Sequence, residues 1–181
     1  MKKLRLFLGA FAITVSMQAQ SNTVMVGGEA MYPKKDIVSN AVESADHTTL
    51  VAAVKAAGLV STLQGEGPFT VFAPVNDAFE NLPAGTVESL LKPEAKGKLT
   101  AVLTYHVLAG TYDFDALAKA IKKGNGMASL KTVQGEKLSF MMNGKHNIQV
   151  KDAKGNVANI SVYDVYQSNG VIQVIDKVLL P

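Results

Sequence analysis

Cysteine is absent from the 181-residue sequence. The chain therefore forms no disulfide, carries no thiol nucleophile and offers no cysteine for lipid attachment. A protein without disulfides relies on its hydrophobic core for stability. Residues 20–181 are long enough for one domain, which would bury roughly 70% of the surface that its unfolded chain exposes. We therefore expect a single domain stabilised by its core.

The motifs of common enzyme classes are also missing. No serine lies in a Gly-x-Ser-x-Gly setting, and no glycine-rich loop is followed by Lys-Ser or Lys-Thr. The three histidines, His47, His106 and His146, do not have the spacing of a metal site. Asp113 and Asp115 lie at an expected helix start, where carboxylates interact favourably with the helix dipole. The sequence therefore predicts no enzymatic activity, no cofactor and no metal.

Excess positive charge is absent outside the first nineteen residues. The sequence has 18 basic and 15 acidic residues, and residues 1–19 hold three of the basic residues and no acidic residue. The remainder of the chain therefore has 15 of each sign and is formally neutral. This balance gives no support to nucleic-acid binding.

Residues 1–19 have the pattern of a secretory signal peptide, in which basic residues precede a short apolar run. A membrane-spanning helix needs about 20 residues and the run at 6–15 is short for one, so an uncleaved anchor is the alternative to a cleaved signal peptide. No later segment is apolar and long enough to cross a bilayer. We therefore predict an exported protein with no membrane span after signal removal. Its expected location is the periplasm, the cell surface or the outside of the cell.

Helical signals dominate the sequence between residues 36 and 124. They consist of a capping or first-turn residue followed by apolar residues with helical spacing. Gly58 is a plausible end for the second of these helices, and the helix that begins at Pro93 is expected to extend to about Val107. The helix starts expected from these signals are Asp36, Asp46, Asn76, Thr86, Pro93 and Asp113.

After Gly126 the apolar residues alternate, as they do in strands with one buried face. We expect three-residue loops containing Gly144 and Gly155, because such loops pair even positions with even positions, for example Leu138 with Ile148. Residues 171–180 are almost all apolar and are expected to form a central strand buried on both faces. Helices followed by a meander of strands indicate an α+β domain.

Three segments, at 70–79, 104–108 and 170–181, together closely resemble the fasciclin domain. The resemblance covers residues 36–181 and leaves residues 20–35 as an extended lead-in. It implies a wedge-shaped α+β fold, in which helices pack along one side of a twisted β-sandwich. It also implies a secreted, non-enzymatic module for cell adhesion or for binding surface or matrix proteins or polymers.

Three positions depart from the commoner fasciclin pattern. Val75 stands where threonine is usual, Ala109 replaces a frequent proline and Gln173 replaces a frequent histidine. The first two changes leave the expected fold intact. The third removes a possible polar contact, so no binding role is carried over to Gln173.

Tyr105 and His106 match a Tyr-His pair that is linked to adhesion in animal fasciclin domains. The resemblance therefore makes them candidates for partner contact, together with Asn76 and Asp77 in the first segment. Helical spacing places His106 on the buried stripe with Leu103, so the alternative is a neutral core histidine bonded to nearby backbone or to the Asn76 turn. Tyr105 is expected to point about 100° away from that stripe. The loops at 76–83 and 105–113 are the first expectation for a contact surface.

A carrier of a small apolar ligand is the alternative function. Such a protein would use a cleft between the helices and the sandwich, and the seven methionines of the chain would suit an adaptable lining. Flexible core filling explains the methionines equally well.

Overall fold

The computed structural model describes residues 23–181, so the predicted signal peptide at 1–19 lies outside the described residues. The helices are α1 (Ile37–Ala41), α2 (Thr48–Ala57), α3 (Val60–Leu63), α4 (Asn76–Glu80), α5 (Thr86–Leu90), α6 (Lys96–Tyr105) and α7 (Phe114–Lys123). The strands are β1 (Val24–Val26), β2 (Glu29–Met31), β3 (Phe69–Pro74), β4 (Val107–Ala109), β5 (Met127–Lys131), β6 (Lys137–Met142), β7 (Ile148–Lys151), β8 (Val157–Gln167) and β9 (Gly170–Ile175). None of the helices in these residues is long and apolar enough to cross a membrane.

Seven strands form one mixed sheet in the order β4-β3-β9-β8-β7-β6-β5. β3 and β9 run parallel, and the other neighbouring strands are antiparallel. The long strand β8 pairs first with β7 and then with β9, so it joins the two halves of the sheet. A bridge between Leu108 and Thr132 connects the region of the two edge strands, and the sheet is therefore curved almost into a barrel. The α+β prediction is confirmed.

The core consists of two apolar clusters on opposite sides of β3 and β9. Val71 and Ile172 face α1, α2 and α6 in the first cluster. Phe72 and Ile175 face the interior of the curved sheet, which α7 closes with Leu117. Residues 171–175 are buried throughout, and β9 lies between two strands. The prediction of a central strand buried on both faces is confirmed, although the strand ends at residue 175.

In the alternating segments, even positions pair with even positions and the loop has three residues, as expected. Met142 pairs with Ile148, and the loop at 144–146 is closed by a bond from the Asn143 amide to the Asn147 carbonyl. Gly144 adopts the left-handed conformation, with φ +79°. The predicted pairing of Leu138 with Ile148 is wrong. The pairing continues one residue beyond β6, to Asn143, so Gly144 is the first residue of the loop and Ile148 pairs with Met142.

Helix boundaries are predicted correctly where the capping residue binds backbone groups of its own helix or itself adopts the left-handed conformation. Asp36 caps α1 by accepting bonds from the amides of Val38 and Ser39. Gly58 ends α2 with φ +75°, and Asp113 caps α7 through the Ala116 amide. These three predictions are confirmed.

Two predicted helix boundaries are wrong, namely the start of α2 and the end of α6. Asp46 lies within a 3-10 turn, Ala45–His47, and does not cap α2. The helix predicted to reach Val107 begins as a 3-10 turn at Pro93, continues as α6 and ends at Tyr105. Beyond this point, pairing with β3 draws Val107–Ala109 into the sheet as β4.

The lead-in at 20–35 contains a short hairpin formed by β1 and β2. Val26 and Met31 of this hairpin are buried in the helical cluster. The hairpin is also tied to the body of the domain by a bond from the Ala45 amide to the Gly27 carbonyl. These described residues are therefore part of the packed domain.

Candidate functional site

His106 lies at the C-terminal end of α6 and is only 3% exposed. Its Nδ1 atom is 2.8 Å from the Val102 carbonyl oxygen, and its Nε2 atom accepts a 2.9 Å bond from the Leu179 amide. Because an amide can only donate, Nε2 carries no proton, and Nδ1–H donates to Val102. Burial lowers the pKa of His106 to about 4, more than the bond to Val102 raises it. The imidazole is therefore neutral at physiological pH.

Tyr105 is fully buried, although helical spacing directs it away from the buried stripe. Its hydroxyl donates to the Lys137 carbonyl at 3.0 Å and accepts from the Ala153 amide at 2.9 Å. Burial raises the pKa of this phenol. Tyr105 belongs to the cluster inside the curved sheet, whereas Leu103 belongs to the helical cluster. The last turn of α6 is therefore inserted between the two halves of the core.

Residues 176–181, the tail that follows β9, bind both His106 and the loop after β7. The Leu179 amide binds His106, and the Leu180 amide binds a carboxylate oxygen of Asp152 at 3.0 Å. Asp152 also accepts from the Asn156 amide, which holds the loop after β7. We call Tyr105, His106 and these backbone partners the Tyr-His junction. It links α6, β6, the β7–β8 loop and the tail.

Asn76 was predicted to cap its own helix, and this prediction is wrong. Its Oδ1 atom accepts bonds from the Thr49 amide at 3.0 Å and the Thr48 hydroxyl at 3.1 Å, and its amide nitrogen donates to the Ala45 carbonyl at 2.8 Å. Asn76 is the first residue of α4, so the N-cap position belongs to Val75, which has no oxygen in its side chain. The Asn76 side chain instead caps α2.

Asp77 is the one exposed residue among the four predicted site residues. It lies in the first turn of α4, where a carboxylate interacts favourably with the helix dipole. No hydrogen bond within residues 23–181 joins the side chains of Asn76 or Asp77 to those of Tyr105 or His106. The backbone of β3 connects the two regions through a bond from the Phe72 amide to the His106 carbonyl.

Gln173 has a structural role that the sequence reasoning missed. The side chain is completely buried in β9. Its oxygen accepts from the Asp164 amide, and its nitrogen donates to the Asp164 carboxylate and to the Tyr112 carbonyl. Asp164 has φ +56° at the irregular part of β8 and also accepts from the Phe114 amide. A polar residue inside an otherwise apolar strand was the available signal for this network.

His47 is the second buried histidine, with 1% of its surface exposed. Its Nδ1 atom lies 2.9 Å from the Ser44 hydroxyl, and its Nε2 atom has no hydrogen-bond partner among the described residues. Burial lowers the pKa of this imidazole. Within residues 23–181 no three metal-binding side chains lie close enough together to hold an ion.

An apolar cavity of about 40 Å³ lies between the helices and β3. Ile37, Leu50, Val54, Leu63 and Val71 are among its lining residues. Ligand pockets usually enclose about 300–1,000 Å³. The cavity is therefore too small for a lipid or pigment in this conformation, and the carrier hypothesis gains no support from it.

Comparisons with known proteins agree with this fold. The sequence pattern of the Fasciclin domain matches residues 45–181. Protein sll1483 of Synechocystis sp. is 48% identical over 167 residues, which cover 91% of this chain and 84% of the relative. The cell surface glycolipoprotein MPB83 of Mycobacterium bovis is 37% identical over 123 residues, which cover 68% of this chain and 48% of the relative.

A solved structure shows the same architecture. It is a FAS1 domain pair from the insect cell adhesion molecule fasciclin I, with a TM-score of 0.71 and 18% identity. The match covers 83% of this chain and 52% of that chain. The sequence match at 45–181 spans well over half of the chain. The chain therefore belongs to the fasciclin domain family.

Proposed function

We propose that this protein is an exported, non-catalytic fasciclin domain that binds surface or matrix proteins or polymers. The observation that supports this proposal most directly is the state of the Tyr-His junction. Both nitrogens of His106 and the hydroxyl of Tyr105 are engaged by backbone groups of the protein itself. No reactive atom of the pair is left for a substrate. The pair acts as a positioning element, and partner contact falls to exposed residues.

Export is supported by the leader pattern and by one relative. MPB83 is described as a cell surface glycolipoprotein and shares 37% identity with this chain. We propose the periplasm, the cell surface or the extracellular space as the location. A domain stabilised by apolar packing, without disulfides, can fold in any of these compartments.

The loops at 76–83 and 105–113 remain the proposed contact surface near the junction. Asp77 and Glu80 are exposed on α4, Ala109 is exposed at the end of β4, and Thr111 is exposed after it. The bonds of Asn76 to the α2 start fix the first loop. The junction fixes the base of the second loop. Loops held on a rigid scaffold are common sites of recognition.

Retention on envelope and extracellular fractions of the source organism tests the proposal. We expect the labelled protein to bind saturably and to be displaced by unlabelled protein. Asp77→Lys should weaken retention at least fivefold if the α4 loop contacts the partner. The matched control is Glu88→Lys, which makes the same charge change at an exposed position of α5. Absence of saturable retention on every fraction would overturn the proposed function.

A further inference from the structure

The neutrality of residues 20–181 conceals an uneven distribution of charge over the fold. Residues 119–154 hold eight lysines and two acidic residues, whereas residues 20–118 hold six lysines and eleven acidic residues. Of the two acids in the basic segment, Asp152 is buried, and its oxygens accept bonds from Asn156 and Leu180. Glu136 is thus the one exposed acid in this described segment.

The outward face of β5, β6 and β7 carries part of this basic charge. Residues at even positions in these strands, such as Leu138 and Val150, are buried in the core. Residues at odd positions therefore point outward. They include three exposed lysines on three adjacent strands, and none of the three strands contains an acid. We call Lys131, Lys137 and Lys151 the lysine face.

The register of the sheet places like charges against each other in the lysine face. Lys131 is the cross-strand partner of Lys137, and like charges in this position destabilise a sheet. Lys151 lies diagonally across from Lys137 on the next strand, at about 7–8 Å for such a pair. None of the three lysines forms an ion pair within residues 23–181, where the one salt bridge joins Lys35 to Glu43.

This repulsion has no compensating contact inside the described domain. Positions that break a local rule without such compensation are expected at functional sites. Ser129, Ser139 and Lys151 form the neighbouring cross-strand row on the same face, and the two serines have short side chains. An extended chain that carries repeated negative charges could therefore lie across the three strands and approach all three ammonium groups.

The surroundings of the lysine face favour one class of polyanion. Residues 20–181 contain no arginine, the residue that binds phosphate in a bidentate manner. No aromatic side chain occupies an outward position of β5, β6 or β7, so bases have no stacking partner there. Met127 and Met141 are the apolar outward residues of these strands, and they do not form the broad apolar face that an interfacial membrane helix uses.

We propose that the lysine face binds an acidic polysaccharide, whose carboxylate or sulfate groups pair with Lys131, Lys137 and Lys151. The assignment goes beyond the proposed function, because it adds a second contact surface, distinct from the loops at 76–83 and 105–113, and names the partner class for that surface. The bound polymer would supply the negative charge that the sheet lacks. The acidic helical half of the domain would face away from the polymer, so binding would also orient the molecule.

Binding of the purified protein to two polymers tests this proposal. The probes are polygalacturonate, which carries carboxylates, and dextran sulfate, with uncharged dextran as the polymer control. We expect binding to at least one charged polymer, with an affinity that falls as salt is raised. The triple variant Lys131→Gln, Lys137→Gln, Lys151→Gln should lose at least tenfold in affinity.

The matched control is the triple variant Lys119→Gln, Lys122→Gln, Lys123→Gln. It removes the same charge from α7, which packs against the inner side of the sheet through Leu117 and Ile121. We expect it to keep its affinity within threefold. Urea unfolding of both variants checks that each is folded.

Equal losses in the two triple variants would overturn the proposal, because they would show only a general effect of charge. Stronger binding to phosphatidylglycerol vesicles or to duplex DNA than to both polymers would also overturn it. If envelope fractions retain the protein while neither charged polymer binds, the proposed function stands and the lysine face fails. If no fraction and no polymer binds, both fail.

Discussion

The Tyr-His junction and the lysine face differ in the burial and the pairing of their polar side chains. In the junction, His106 and Tyr105 are buried, and their hydrogen-bonding atoms all have partners. In the lysine face, Lys131 and Lys137 are exposed and oppose each other without an ion pair in the described residues. The first region should contribute stability, and the second should reduce it slightly. The comparison therefore separates residues that hold the domain together from residues available to a partner.

Removing the imidazole should give the largest effect. His106→Ala is expected to lower the free energy of unfolding by about 4 kcal/mol, because it leaves a cavity and removes the partners of Val102 and Leu179. Urea unfolding at neutral pH measures this change. The control His146→Ala removes an exposed histidine and should stay within about 0.5 kcal/mol. A loss below about 1 kcal/mol for His106→Ala would contradict the structural role of the junction.

Acid should weaken the junction in a defined range. The pKa of His106 is about 4 in the folded protein, below the ordinary value of 6.5, so the unfolded chain binds a proton first as the pH falls. The contribution is complete above pH 6.5 and is lost toward pH 4, by up to about 3 kcal/mol. His47 acts in the same direction. Urea unfolding at several pH values should show a smaller decrease in His106→Gln than in the native chain, and equal decreases would refute this.

Removing the Tyr105 hydroxyl should lower the free energy of unfolding by a smaller amount. Tyr105→Phe keeps the ring but removes the group that binds the Ala153 amide and the Lys137 carbonyl. The cost should be about 2 kcal/mol, since both backbone groups are then buried without a partner. Thermal unfolding of Tyr105→Phe can be compared with that of Tyr32→Phe, which alters a tyrosine that is 46% exposed. Similar midpoints for the two variants would argue against the junction.

The smallest effect has the opposite sign and concerns the lysine face. Lys131→Gln should raise the free energy of unfolding by about 0.5 kcal/mol, because it relieves repulsion with Lys137. The gain should shrink as salt is added. Lys123→Gln is the control, since a lysine in the last turn of α7 interacts favourably with the helix dipole. If Lys131→Gln is destabilising at low salt, the opposed lysines are not a source of strain.

The sequence predicted those features whose causes lie within a few residues. Asp36 and its cap partners are three residues apart or less, and the parity of β6 and β7 follows from their apolar alternation. Asn76 was misassigned because its partners lie 27 to 31 residues earlier in the chain. The burial of Tyr105 depends on β6 and the β7–β8 loop, and helical spacing alone carries no information about them.

The lysine face was hidden for a related reason. Formal charge counting gave a neutral segment at 20–181, and only the strand register shows that Lys131 and Lys137 are neighbours. Family resemblance directed attention to the Tyr-His pair, which the structure places in the interior. The fold could therefore be predicted from the sequence. Which polar side chains are buried and which are exposed to a partner could be decided only from the register of the sheet.

The position of β9 also has a consequence for biosynthesis. This strand lies between β3 and β8, yet it follows both of them in the chain, and β3 begins about a hundred residues earlier. The ribosome therefore synthesises β9 after the other six strands of the sheet. Until then the nascent polypeptide has no partner for the inner edge of β3, and the tail amides that bind His106 and Asp152 have not been made. The sheet can therefore be completed only after residues 170–175 have been synthesised, and the junction only after the tail has followed them.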